Sequence, residues 1–323
     1  RSLNMDRKAF LKITAVGGFG TLLGGPALPL RWKEKGVNLT AAKRRSLAMG
    51  SVISFTAITE HKKDGYEAIR RAEQVFRSFD KIFSMYDDES EMGLLAKHAG
   101  EQFIPLSDAA VKLLNYAKVL YRQSNRFFDV TIEPAMRQWG FRKNPEVAVQ
   151  PPTDAELRKL EQIIGSEHII LDDNHGLLRK PGMALDTGGI AGGYALDAAI
   201  EEMKKCEIAA AFINFSGDIH CFGSPLDGKK WPVFLIDPHS LQPLTEPIYL
   251  SNEALSTSGS YQNRRHDGNG HSWGHLLLPR HAEPVEPCGS VTAIHQSAMV
   301  ADAWSTTAYL GAAPPKEVRT IIL

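Results

Sequence analysis

Four glycines and two carboxylates crowd into one stretch, Ala184-Leu185-Asp186-Thr187-Gly188-Gly189-Ile190-Ala191-Gly192-Gly193-Tyr194-Ala195-Leu196-Asp197. An apolar run leads in and a helix-competent run leads out, so the segment reads as a glycine-rich turn that opens a helix. Glycine lets backbone pass close to a neighbour and leaves amide groups exposed, which suits either a nucleotide phosphate or a tight packing turn. The segment alone does not choose between them.

The 323 residues suffice for one large domain or two modest ones. Lys plus Arg and Asp plus Glu both number 37, so no net field calls for nucleic acid. Cys206, Cys221 and Cys288 form no CxxC pair, which argues against a disulfide framework and a cysteine-based zinc site. Near the start, Arg7 and Lys8 precede Phe10-Leu11-Lys12, and an apolar, glycine-rich stretch covers residues 13–28. A basic start followed by a short apolar run is the pattern of an export signal, here similar to a twin-arginine signal with Lys8 in the second basic position. The run is shorter than the roughly 20 residues of a spanning helix. Residues 1–30 are therefore expected to be an export signal, 31–46 a polar linker and 47–323 the folded domain. Such a chain is expected in a periplasm, or peripheral to the outer face of the cytoplasmic membrane.

Within the domain, residues 49–58 read as a strand, and apolar residues across 65–82 keep helical spacing. Ser107 caps a second helix, and Thr153-Asp154-Ala155-Glu156 is a capping box for a third. Short β-like runs follow at 168–171, 209–215, 231–236, 248–250, 275–278 and 290–295, with helices after Gly193 and over 298–310. Helices first and strands later predict an α+β fold with a mixed sheet.

Asp302 and Thr306 stand four apart on the last of these helices, so their oxygens share one face. Their neighbours are small or apolar, and a carboxylate there needs a partner. A hard cation such as Mg²⁺ would supply one, and a capping Asp beside a Thr fits the same residues. Asn214-Phe215-Ser216-Gly217-Asp218-Ile219 ends an apolar strand in a polar turn, and Thr257-Ser258-Gly259-Ser260-Tyr261 reads as a hydroxyl-rich turn. Either turn could hold a ligand or merely satisfy backbone donors. His275 opens the run Leu276-Leu277-Leu278 and reads as a strand residue, either a general base or a part-buried histidine bonded to backbone.

Taken together, these segments resemble the FAD:protein FMN transferases, the ApbE-type flavin transferases, over residues 49–311. Met49-Gly50-Ser51 is similar to the family's opening Met-Gly-Thr, and Phe83-Ser84-Met85-Tyr86 with Ser90-Glu91 to its Ser-Thr-Tyr…Ser-Glu. Phe127-Phe128-Asp129-Val130-Thr131 and Trp139-Gly140-Phe141 follow its Phe-Asp-Pro-Thr…Trp-Gly-Phe pattern. The glycine-rich segment, the 214–219 turn, Thr257-Ser258-Gly259 and Asp302…Thr306 complete the series in family order.

The resemblance implies an α+β, T-fold-related architecture of mixed sheets flanked by helices, with an FAD cleft between two lobes. It implies transfer of FMN from FAD to a Thr or Ser hydroxyl of a target protein, with release of AMP. Mg²⁺ would be held by Ala191 (through its carbonyl), Asp302 and Thr306, and His275 would be the base. Met49, Tyr86, Phe127, Phe128, Asp129, Gly188, Tyr194 and Thr257 would line the FAD site. The implied acceptor is an exported or membrane redox subunit. Two departures stand out: Gly192 occupies the place of a family lysine, and Leu278 that of an aspartate. They keep two alternatives open, Mg²⁺-dependent hydrolysis of FAD to FMN and AMP, and a non-catalytic FAD-binding maturation factor.

Overall fold

The computed structural model describes residues 33–34, 37–144, 146–260, 263–286 and 289–323. The expected export signal, Tyr261 and Cys288 lie outside these. Seven strands form one antiparallel sheet: β1 (Thr40–Ala48), β2 (Ser51–Thr59), β3 (Ala210–Phe215), β4 (Asp218–Phe222), β5 (Ala254–Gly259), β6 (Ser290–His295) and β7 (Arg319–Ile322). Their order across the sheet follows the chain, from β1 at one edge to β7 at the other. The helices are α1 (Lys62–Phe83), α2 (Glu91–Lys97), α3 (Asp108–Gln123), α4 (Glu133–Gln138), α5 (Asp154–Ile163), α6 (Ala191–Lys204) and α7 (Ala298–Tyr309). None of the described helices is long and apolar enough to cross a membrane.

Alternation along the strands divides the core. Ile53, Phe55 and Ala57 of β2, with Ala211, Ile213 and Phe215 of β3, pack beneath α1, α6 and α7. Ile58, Ala210 and Phe212 point the other way, into a second cluster with Trp231, Val233 and Leu250. Those three belong to a ribbon pairing Trp231–Val233 with Ile248–Leu250, which roofs that face. Both faces of the central strands are thus buried, and this accounts for their nearly unbroken apolar sequences.

The helix starts follow their sequence signals. Ser107 Oγ accepts the Ala110 N–H at 3.3 Å, and Thr153 with Glu156 forms the reciprocal capping box. The reading of 31–46 as a linker fails from residue 40 onward, because those residues form β1 and pair along their length with β2. Lys43, Arg44 and Arg45 suggest a solvated loop, but charge is also how an edge strand is kept from pairing further. Arg44 reaches over to the buried Glu73 at 3.1 Å, while its two neighbours face solvent. Thr257, Ser258 and Gly259, read as part of a hydroxyl-rich turn, instead end strand β5. His275 stands at a bend between the short strands Ser272–Gly274 and Leu277–Leu278 rather than inside one.

The register gathers several turns at one end of the sheet. β1 and β2 join through Met49 (φ 48°) and Gly50 (φ 73°), and β3 and β4 through Ser216 (φ 54°) and Gly217 (φ 108°). Left-handed pairs of this kind suit two-residue hairpins. Ser216 N–H donates to the Val52 carbonyl at 3.3 Å, tying the two turns together. Asp218 begins β4 at this end, beside Ser256 of β5.

Candidate active site

The glycine-rich segment enters α6 exactly where α7 crosses it, and the crossing is too close for side chains. A Cβ on Gly193 would stand 2.2 Å from the Ala298 carbonyl oxygen, and one on Gly192 would stand 2.9 Å from the Phe215 ring. The Gly193 N–H donates to Asp302 Oδ2 at 2.9 Å. One turn earlier, a Cβ on Gly189 would meet Thr306 Oγ1 at 3.2 Å and the Phe128 ring at 3.4 Å. The backbone at Gly189 and Gly193, on either side of Ala191, therefore lies against the oxygens of Thr306 and Asp302. Gly193→Ala forces the two helices apart and is expected to cost about 1–3 kcal/mol, as overpacking does. A thermal melt reads this; Gly217→Ala, with no atom within 4 Å of its added Cβ, isolates the cost of a left-handed backbone alone.

A second carboxylate stands across from Asp302. Asp218 accepts from Ser256 Oγ at 2.5 Å. Burial and the facing Asp218 charge hold the Asp302 carboxyl well above the usual carboxylate range, against the Gly193 amide. Burial also pushes Asp218 up to about 6, opposed by Ser256 and the Thr257 amide. Around the pair lies a hydroxyl network: Ser258 Oγ is 2.8 Å from Ser305 Oγ and 2.9 Å from Thr306 Oγ1. Asp218, Ser256 and Ser258 are absent from the ligands read off the sequence. The signal that could have found them is strand alternation, which turns residues 254, 256 and 258 of β5 toward α7.

The same alternation turns Thr257 away. Its side chain is exposed on the opposite face, with Oγ1 2.8 Å from Thr292 Oγ1, so only its backbone amide serves the site. Tyr194 is also placed elsewhere than its motif implies, in the core, with its ring 5.0 Å from Phe79 and 6.2 Å from Phe83. Asp129 is buried and fully engaged, accepting from Thr131 N, Thr131 Oγ1, Ser166 N and Ser166 Oγ at 2.7–3.1 Å. It locks two loops together, with both oxygens engaged by protein donors. Phe127 lies under the Arg280 guanidinium and against Gly311, and Met49 stands at the hairpin tip.

A charged cluster adjoins these groups. Arg142 Nη2 bonds Glu133 Oε2 at 2.5 Å and Asp186 Oδ2 at 2.6 Å, and its guanidinium covers the half-exposed Tyr86 ring at 5.7 Å. Asp186 Oδ1 also accepts the Gly188 N–H at 2.7 Å, which shapes the entry to the glycine-rich turn. Half-buried His275 packs edge-on against Phe141 with centroids 6.4 Å apart. Burial lowers its pKa to about 4 although Asp186 pulls the other way, so the ring is neutral at ordinary pH. β5 links the two regions: Ser258 holds Thr306, and Ser260 lies so close to Gly274, the residue before His275, that a Cβ there would stand at 2.3 Å.

Comparison with known proteins identifies the family and the fold. The profile of the ApbE family matches residues 49–321. The FAD:protein FMN transferase of Klebsiella pneumoniae (strain 342) is 26% identical over 242 residues, 73% of this chain and 73% of that one. The protein of the same name from Escherichia coli (strain K12) is 26% identical over 247 residues, 74% of this chain and 70% of its own. The crystal structure of the ApbE protein from Thermotoga maritima has a TM-score of 0.74 at 25% identity, covering 84% of this chain and 87% of that one. Flavin transferase ApbE from Vibrio cholerae shares the fold with a TM-score of 0.77 at 22% identity, over 88% and 93%. With a profile match over most of its length, an α+β fold shared with those structures and the glycine-rich segment meeting Asp302 and Thr306 where two helices cross, the chain belongs to the ApbE family.

Proposed function

We propose that this protein transfers FMN from FAD to a Thr or Ser hydroxyl of an exported or membrane-bound acceptor protein, releasing AMP. The observation that carries the reading is the pair of repelling carboxylates, Asp218 and Asp302, set among hydroxyls at the glycine-rich start of α6. Every donor there is a hard oxygen, and a divalent cation would relieve the repulsion, so the residues fit Mg²⁺. Among the described residues no three His, Cys, Asp or Glu side chains cluster, so such an ion would also draw on Thr306 Oγ1 and the Ala191 carbonyl. Bound there, Mg²⁺ would neutralise charge on the FAD pyrophosphate.

The chain's own residues do the rest. The glycines bring backbone close to the phosphates, and the half-exposed Tyr86 offers flat apolar surface to the rings, whereas Phe128 is buried in the core behind Gly189. The acceptor hydroxyl oxygen attacks the FMN-side phosphorus, and the bond from that phosphorus to the bridging oxygen breaks. AMP leaves with the bridging oxygen, and the hydroxyl proton passes to the neutral His275. The expected test result is AMP together with a flavinylated peptide when the protein is incubated with FAD, Mg²⁺ and a candidate acceptor peptide. AMP with free FMN would instead establish hydrolysis, and bound FAD without AMP a non-catalytic binder.

The pH dependence separates the base from the carboxylate pair. His275 stays neutral down to about pH 4. Burial raises both Asp302 and Asp218, the latter to about 6, and the Asp218 charge raises Asp302 further, so the pair takes up protons at higher pH than ordinary carboxylates. A protonated Asp218 no longer attracts the cation, so activity should fall as pH drops through about 6 and the midpoint should move lower as Mg²⁺ is raised. An acid limb that ignores the Mg²⁺ concentration would contradict this assignment.

A further inference from the structure

The two helices of the site meet in a ladder of four-residue steps. Gly189 faces Thr306 and Gly193 faces Asp302; one turn further along α6, Asp197 faces Ala298 in the first turn of α7. The helices therefore run antiparallel, and Asp197 is the rung beyond the pair that forms the site. Its Oδ1 accepts the Ala298 N–H at 2.6 Å; its Oδ2 accepts the Met299 N–H at 3.1 Å and the Ser297 hydroxyl at 2.5 Å. Ser297 Oγ in turn accepts the Val300 N–H at 3.3 Å. The amides of a first helical turn are ordinarily satisfied by the residue just before the helix. Here a carboxylate on the neighbouring helix takes two of them. From the sheet, His220 of β4 sets its Nδ1 3.0 Å from Asp197 Oδ1, so this carboxylate of α6 is held by both α7 and β4. The mechanism above makes no use of it.

We propose that Asp197 is a positioning residue: by capping α7 across the interface it fixes the register at which Asp302 and Thr306 meet the backbone of residues 189–193. A helix shifted by one residue moves about 1.5 Å along its axis and turns each side chain by roughly 100°. Either change would take Asp302 off the Gly193 amide and away from Asp218. This inference rests on the cation site proposed above, and its test tells the two apart.

Mn²⁺ titrated into the purified protein, followed by calorimetry or by loss of the free-ion resonance signal, gives a dissociation constant without turnover. Asp197→Asn is expected to weaken Mn²⁺ binding by about tenfold or more, the scale seen when outer partners of metal ligands are removed. Ser297→Ala removes the other cap from the same turn but leaves Asp197 on its two amides, and should weaken Mn²⁺ by less than about threefold. Thermal melts of both variants provide the stability against which the affinities are compared. Unchanged affinity in a folded Asp197→Asn, or affinity losses that merely track stability in both variants, would overturn the proposal. Asp197→Glu keeps the charge but displaces it by one methylene and should lie between wild type and Asp197→Asn. It carries the test if the Asn variant does not fold, and wild-type affinity in it would equally overturn the proposal. Absence of Mn²⁺ binding in the wild-type protein would instead remove the cation site itself.

Discussion

Asp302→Ala is expected to lower AMP release from FAD by about 10³-fold or more while FAD binding remains measurable. The carboxylate is buried, faces Asp218 and contributes the charge that a cation would need. Its removal has two opposing effects on stability. The Gly193 N–H loses its acceptor, which costs about 1–3 kcal/mol for a buried donor. The repulsion between the two carboxylates also disappears, and this offsets part of that loss. A large loss of turnover with a small change in melting temperature is therefore the signature of a functional carboxylate. Asp302→Asn sharpens the comparison, because it keeps an acceptor for Gly193 and removes only the charge. If the Asn variant turns over at the wild-type rate, Asp302 acts as a helix-contact residue and not through its charge.

His275→Asn should reduce kcat by about 10²–10⁴-fold, the usual contribution of a positioned general base. FAD affinity should change little, since the ring packs against Phe141 and lies beside Asp186 and Arg142 rather than among the Asp218 and Asp302 oxygens. The neutral state imposed by burial is what makes the ring available to accept a proton. An equal fall in FAD binding and turnover would mark His275 as part of the binding wall.

Most of this fold and part of the site are legible in the sequence, for identifiable reasons. Helices α3 and α5 follow from Ser107 and the Thr153–Glu156 box because capping is local chemistry. Asp302 and Thr306 are legible because helical spacing places them on one face. β1 is not, since Lys43, Arg44 and Arg45 look solvated and only pairing with β2 makes the segment a strand. Thr257 and Ser258 exchange roles because a hydroxyl-rich stretch read as a turn is a strand, where neighbours face opposite ways. Tyr194 follows two glycines packed against Phe215 and α7, yet its own ring belongs to the aromatic core with Phe79. Asp218 and Asp197 gain their meaning only from partners far along the chain, Ser256 and Ala298. Local spacing carries no information about such pairs.

The most direct test is diffraction from crystals soaked in Mn²⁺ and FAD, recorded where manganese scatters anomalously. The expected result is one strong anomalous peak bounded by Asp302, Asp218 and Thr306, with the FAD pyrophosphate against it and the start of α6 alongside. A bound FAD whose pyrophosphate lies away from these residues, or a peak at some other place on the protein, would contradict the account.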